Sequence, residues 1–148
     1  MLSTVIEKAK HVCVKAHSGQ FDKGGSPYYQ HPFAVADMCE TEDEKIVAYL
    51  HDVVEDTNIT LHDLHNFGFS GKIVSAVNAI TKRKGEEYRD YLYRVKTNDI
   101  ARVVKLADLR HNSQLRRLNR DITDEDLKRV QKYQNSINYL KGGFIEQY

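Results

Sequence analysis

The chain has 148 residues, enough for one domain that buries its own core without staples. Charged residues make up 29% and the net charge is +1, which excludes a global pull toward nucleic acid or a membrane surface. Its two cysteines, Cys13 and Cys39, both fall in apolar helical patterns, which argues against a disulfide framework or a cysteine-built metal knuckle.

The first segment carries Leu2, Val5, Ile6, Ala9, Val12, Cys13 and Ala16 on one helical stripe and ends near Ser18-Gly19. Its start, MLSTVIEKAK, does not read as a secretory signal. Residues 18–30, SGQFDKGGSPYYQ, are glycine-rich and form a long loop, the kind that often carries function. His31-Pro32 opens a second helix, with proline in the first turn, where a missing N–H costs least. Thr41 and Glu44 read as a capping box for a third helix that runs through Ile46, Val47, Leu50, Val53 and Val54. Thr60 with Asp63 starts a fourth, and Gly68 and Gly71 bracket a break before a helix holding Ile73, Val74, Val77 and Ile80. After the basic loop Lys82-Arg83-Lys84-Gly85 comes a helix with Tyr88, Tyr91, Leu92 and Val95. Asn98 caps the next, with Ile100, Val103, Val104 and Ala107. Thr123 and Asp126 cap the last, with Leu127, Val130, Ile137 and Leu140, and the tail KGGFIEQY is expected to fray or dock loosely. No strand alternation, repeat or linker interrupts this series. The expectation is a single all-α domain over residues 1–148, a bundle of roughly seven or eight helices. No apolar run approaches the roughly 20 residues that span a bilayer, so a cytoplasmic protein without membrane or nucleic-acid partners is expected.

Chemistry concentrates in three places. Residues 51–56 read HDVVED, which on one continuous helix pairs His51 with Glu55 and Asp52 with Asp56. Three carboxylates that close repel one another unless a cation sits among them. A polar helix face is more often merely solvated, so the motif needs company. Residues 105–112, KLADLRHN, put Lys105, Asp108, His111 and Asn112 on one face, with an acid in apolar surroundings. Alone, such an Asp is commonly satisfied by a cap or salt bridge. His31, between the glycine loop and a proline, is the third. Together they offer two imidazoles and two carboxylates, His31, His51, Asp52 and Asp108, a set that suits Mn²⁺, Fe²⁺ or Zn²⁺. Such an ion activates water and polarises a phosphoryl oxygen.

The order His31, His51-Asp52, Asp108 resembles the HD-domain phosphohydrolase superfamily. AHSGQFDKGGSPYYQHPFAVA, YLHDVVEDTNITLHDL and VVKLADLRHN are most similar to the hydrolase domain of RelA/SpoT-type alarmone enzymes and to small stand-alone alarmone hydrolases. The likeness spreads over roughly residues 1–118. It implies that His31, His51, Asp52 and Asp108 ligate one divalent metal ion, typically Mn²⁺, with Mg²⁺ also in range. It implies that Glu55 and Asp56 orient or activate the attacking water. Lys23 would face substrate phosphate, Asn112 would lie near metal and ribose, and Pro27 and Tyr28 would shape the pocket. One position departs: Asp22 stands where the family has an arginine that stacks on guanine, and an acid gives no cation–π platform. No synthetase domain accompanies these motifs.

Other residues read more plainly. Lys82–Lys84, Arg110, Arg116 and Arg117 are expected in solvent or surface salt bridges, and His62 and His65 at the surface. His11 and His17 are expected to pack, with lining the pocket as the alternative for His17, and His111 is a weak candidate for a substrate contact. There is no P-loop and no GxSxG nucleophile elbow. The expected function is metal-dependent hydrolysis of a nucleotide phosphoester or pyrophosphate, best matched by 3′-pyrophosphate removal from a (p)ppGpp-like alarmone. A nucleotidase acting on (deoxy)nucleoside monophosphates and a non-catalytic nucleotide sensor are the alternatives. The sequence leaves the oligomeric state open.

Overall fold

The structure, a computed structural model, describes residues 4–115, 118 and 120–143. The expected contributions of Leu2, Arg116, Arg117 and the last five residues lie outside these. Nine α-helices run through the described residues, without a β-strand; one isolated antiparallel bridge joins Phe21 to Pro27 across the glycine-rich loop.

Local chemistry sets most of the helix starts. Thr4 caps α1 (Val5–Ala16) by accepting from the Glu7 N–H, and Ala9, Val12 and Cys13 form its buried stripe. α2 (Gln30–Asp37) begins without a side-chain cap, and Pro32 lies in its first turn. Reciprocal capping boxes start α3 (Glu42–Leu50) at Thr41/Glu44, α5 (Leu61–Asn66) at Thr60/Asp63 and α9 (Asp124–Leu140) at Thr123/Asp126. Ser70 caps α6 (Gly71–Ile80), and Asn98 both ends α7 (Tyr88–Thr97) and caps α8 (Asp99–Asn112).

The third helix is not the continuous one that its apolar spacing suggests. It stops at Leu50, turns through His51 and Asp52, and resumes as the short α4 (Val53–Asp56). The His51 imidazole Nδ1–H donates to the Ala48 carbonyl at 2.5 Å, and the His51 amide points at the same oxygen. That oxygen is the one a regular helix would offer to the amide of Asp52. With it taken, the ladder breaks, and the seven or eight helices expected become nine among the described residues.

α3 is the centre of the packing and touches α1, α2, α6 and α8. Val47, Ala48 and Leu50 are fully buried there. Burying one such Val or Leu contributes about 1.5–3 kcal/mol. α8 lies across α2 and α3 and is covered on its other side by α7 and α9. Leu127, read from the sequence as part of α9's apolar stripe, is instead 54% exposed. No helix among the described residues is long and apolar enough to cross a membrane.

Candidate metal centre and adjoining pocket

Three elements converge at the middle of the bundle. α2 brings His31, the break after α3 brings His51, and α8 brings Asp108, all at most 5% exposed. His31 Nε2 lies 2.7 Å from Asp108 Oδ1, and His51 Nε2 lies 3.4 Å from the same oxygen. Asp52 Oδ2 is 3.1 Å from His51 Nε2. The candidate ligand atoms of His31, His51 and Asp108 all lie within 4.8 Å of one another, which makes a possible His-His-Asp metal site.

The outer partners fix this arrangement. His31 Nδ1 is 2.7 Å from His111 Nδ1, and the two rings stack with centroids 4.9 Å apart. The Tyr28 hydroxyl donates to Asp52 Oδ2 at 2.5 Å. Lys105 Nζ donates to Asp108 Oδ2 at 3.0 Å, and Asn112 Nδ2 to Asp108 Oδ1 at 3.2 Å. Metal-binding histidines and carboxylates are usually held by such hydrogen bonds, which set the ring tautomer and aim the lone pairs.

Electrostatics separate the acids. Burial pushes the Asp108 carboxyl up, but Lys105, His31 and His51 more than offset this and hold it well below the usual carboxylate range. Asp52, also opposed by burial, is brought to about 2, chiefly by His51. Asp56 goes the other way, to about 6, through burial and the charges of Asp52 and Glu55. Burial and the Asp52 carboxylate raise the Tyr28 phenol strongly, so it remains a donor.

The donor set fits a cation. His51 Nδ1 holds its proton on Ala48, and against the effect of burial the Asp52 and Asp108 carboxylates raise the ring well above its ordinary pKa, so they call for a positive charge at Nε2: a proton on that atom, or a cation facing its lone pair. That buried atom has no hydrogen-bonding partner at acceptable geometry among the described residues; its neighbours are two carboxylates. Lone pair and carboxylate oxygens facing one another in the interior repel unless a positive charge lies between them. A divalent ion with mixed nitrogen and oxygen ligands satisfies all of them.

HDVVED does not present a single acidic face. The break turns His51 and Asp52 inward, while Glu55 and Asp56 stay at the surface, Asp56 with its carboxyl partly covered. Glu55 Oε1 accepts from the Lys82 amide at 2.8 Å, which ties it to the basic loop after α6. Asp56 lies on the wall of a groove of about 750 Å³ beside α1, together with Lys15, Gln20 and Ile59.

Lys23, Tyr28 and Asn112 come together in another pocket of about 320 Å³. Asp22 lines it too, but not as a free acid. Its Oδ1 accepts from the amides of Gly24 and Ser26, both at 2.9 Å, and so anchors the loop that carries Lys23. Sequence reasoning missed the opposite wall, Arg129, Val130 and Tyr133 of α9. They read as an ordinary amphipathic helix, and nothing local marks them. His111, read from the sequence only as a weak candidate for a substrate contact, is buried against His31. His17 is fully buried, as packing suggested, but it packs on Tyr28, with ring centroids 5.0 Å apart.

No family model matches the chain. Individual relatives do. It is 38% identical over 112 residues to guanosine-3′,5′-bis(diphosphate) 3′-pyrophosphohydrolase of Haemophilus influenzae, covering 66% of this chain and 16% of the relative. It is 33% identical over 121 residues to the bifunctional (p)ppGpp synthase/hydrolase SpoT of Escherichia coli K12, covering 72% and 17%. The chain thus spans about a sixth of the length of the curated relatives it matches. Among solved structures, one described as a metazoan ortholog of SpoT that hydrolyzes ppGpp superimposes with a TM-score of 0.77 at 23% identity, covering 96% of this chain and 88% of that one. The helical order, the inward-turned His-Asp pair after α3 and these likenesses agree: the chain belongs to the HD-domain family, in its RelA/SpoT-type hydrolase branch.

Proposed function

We propose that residues 1–148 form one HD-type phosphohydrolase domain, acting in the cytoplasm, that removes the 3′-pyrophosphate from a (p)ppGpp-like alarmone. One observation carries the reading. Tyr28 and Asn112 each touch the candidate metal centre, at Asp52 and Asp108, and each also lines the pocket of Lys23. A nucleotide held there has its phosphates beside the centre. The relatives named above for (p)ppGpp hydrolysis support the substrate class.

In this reading His31, His51, Asp52 and Asp108 hold one divalent ion, with Mn²⁺ favoured over Fe²⁺, Zn²⁺ or Mg²⁺. Such an ion, when bound, lowers the pKa of water and withdraws charge from a phosphoryl oxygen. Glu55 and Asp56 orient the attacking water and take its proton. The Lys23 ammonium faces the phosphates and offsets charge that builds on them in the transition state. Tyr28 and Asn112 set the edge of the pocket nearest the reacting phosphorus. The competing nucleotidase reading rests on Asp22, which offers a guanine base no cation to stack on.

The test is product analysis with Mn²⁺ on ppGpp, its adenine counterpart and nucleoside monophosphates. Pyrophosphate release from ppGpp is expected. Orthophosphate from monophosphates alone would establish the nucleotidase instead, and tight binding without turnover would make the domain a sensor.

A further inference from the structure

His17 is 1% exposed, and the function above gives it no task. Its Nδ1 is 3.1 Å from the Gln20 side-chain oxygen, an acceptor, so Nδ1 carries the proton. Burial keeps the ring neutral, which leaves Nε2 as a bare acceptor. Among the described residues no donor reaches that atom. The ring stands against Tyr28, whose hydroxyl holds Asp52, and the charges that act on His17 are those of Asp52, His51 and His31. A bare nitrogen and an ionised carboxylate are both acceptors, so neither can satisfy the other directly. A water molecule can, because it donates twice, and a buried water is stable where it finds at least two polar partners.

We propose that His17 is a positioning residue of the hydrolytic centre, its Nε2 accepting one hydrogen bond from an ordered water that gives its other hydrogen to the Asp52 carboxylate. Tyr28 and this water then act on Asp52 together and fix which of its lone pairs face the ligand cluster. The inference rests on the reading of Asp52 as a metal ligand. Gln20 orients the histidine, and the glycine-rich loop that follows it brings Tyr28 back onto the same ring.

The test compares wild type with His17→Phe, which keeps a ring against Tyr28 but has no lone pair, and with His17→Gln, which places a polar group near Nε2. Mn²⁺ affinity is read from the electron paramagnetic resonance of free Mn²⁺, separately from kcat and KM for ppGpp at saturating Mn²⁺. A crystal structure should show a water within hydrogen-bonding distance of both Nε2 and Asp52. For His17→Phe, Mn²⁺ affinity or kcat should fall about 10–100-fold, the range typical for outer-shell partners of a metal site, with KM unchanged and melting temperature preserved. His17→Gln should recover part of the loss, and it carries the test if the phenylalanine variant does not fold. Wild-type affinity and kcat in a folded His17→Phe protein would overturn the proposal and leave the metal reading intact. So would a glutamine variant no better than a folded His17→Leu protein. Failure of wild type to bind Mn²⁺ would overturn both together, which separates the two cases.

Discussion

At the scale of single residues, the proposed function divides the candidate centre into groups that would hold an ion and groups that would act on water. Asp108 sits among Lys105, His31, His51 and Asn112, so Asp108→Ala should abolish hydrolysis and weaken Mn²⁺ binding in the same titration. Glu55 is exposed and bonded to the Lys82 amide, so Glu55→Ala should cut kcat by at least about 100-fold, as for loss of a general base, with Mn²⁺ still bound. Equal loss of metal in both variants would make Glu55 a ligand. Asp22 calls for a revised expectation. On sequence grounds, Asp22→Arg restores a stacking cation and should improve ppGpp binding; in the structure it also removes the acceptor that anchors the loop of Lys23. Asp22→Asn keeps an acceptor and removes only the charge. It should lower KM for ppGpp by about twofold to tenfold at low salt, in the range of one screened like-charge contact, with kcat unchanged. Asp22→Arg should gain less than Asp22→Asn in the same assay. The four proposed ligands, each ordinary alone, stood out in the sequence by their combination and by its resemblance to a family; of them the structure brings His31, His51 and Asp108 within 4.8 Å of one another. Asp22's second role was not legible there, because an Asx turn looks like any polar loop residue until the backbone is drawn.

At the scale of elements, the loop between α6 and α7 is tied down by two arginines: Arg83 bonds Asn78 and the Thr81 carbonyl, and Arg94 reaches across from α7. Arg94 bonds the carbonyls of Ala79 and Thr81 and pairs with both oxygens of Glu86. This loop presents the Lys82 amide to Glu55, so its order bears on the pair proposed to activate water. Arg94 holds the Glu86 carboxyl at about 2, against an ordinary 4.5. As pH falls the unfolded chain takes up the proton first, so the pair contributes fully above about pH 4.5 and is lost as pH drops toward about 2. Melting temperature should fall between about pH 5 and pH 3, and Glu86→Gln should flatten that fall; identical profiles would show that the pair carries no stability. The capping boxes at Thr41, Thr60 and Thr123 were readable because their chemistry is local. The break at His51 was not, because it depends on a side chain competing for a backbone oxygen inside an otherwise regular apolar repeat.

At the scale of the molecule, the candidate ligands belong to α2, the α3–α4 break and α8, three parts of the packing that an ion would join. An ion that binds only the folded chain stabilises it by about 2.7 kcal/mol at 100 times its Kd. For a chain of this size that corresponds to roughly 5–10 °C in melting temperature. Calorimetry with Mn²⁺ and with chelator should show this difference, and His51→Ala should erase it.

The wall supplied by α9 has a different bearing. Arg129, Val130 and Tyr133 border the pocket, yet α9 contributes none of the proposed ligands or water-activating acids. The helix has its own fastening, with Asp126 gripped by Thr123, Arg120 and Arg129. In the proposed function α9 therefore adds a wall to the pocket without taking part in the reaction, while Tyr28 and Asn112 belong to both pocket and centre. A lineage, or a designer, could vary the pocket-facing side chains of α9 to admit a different base while the groups of the proposed reaction stay as they are.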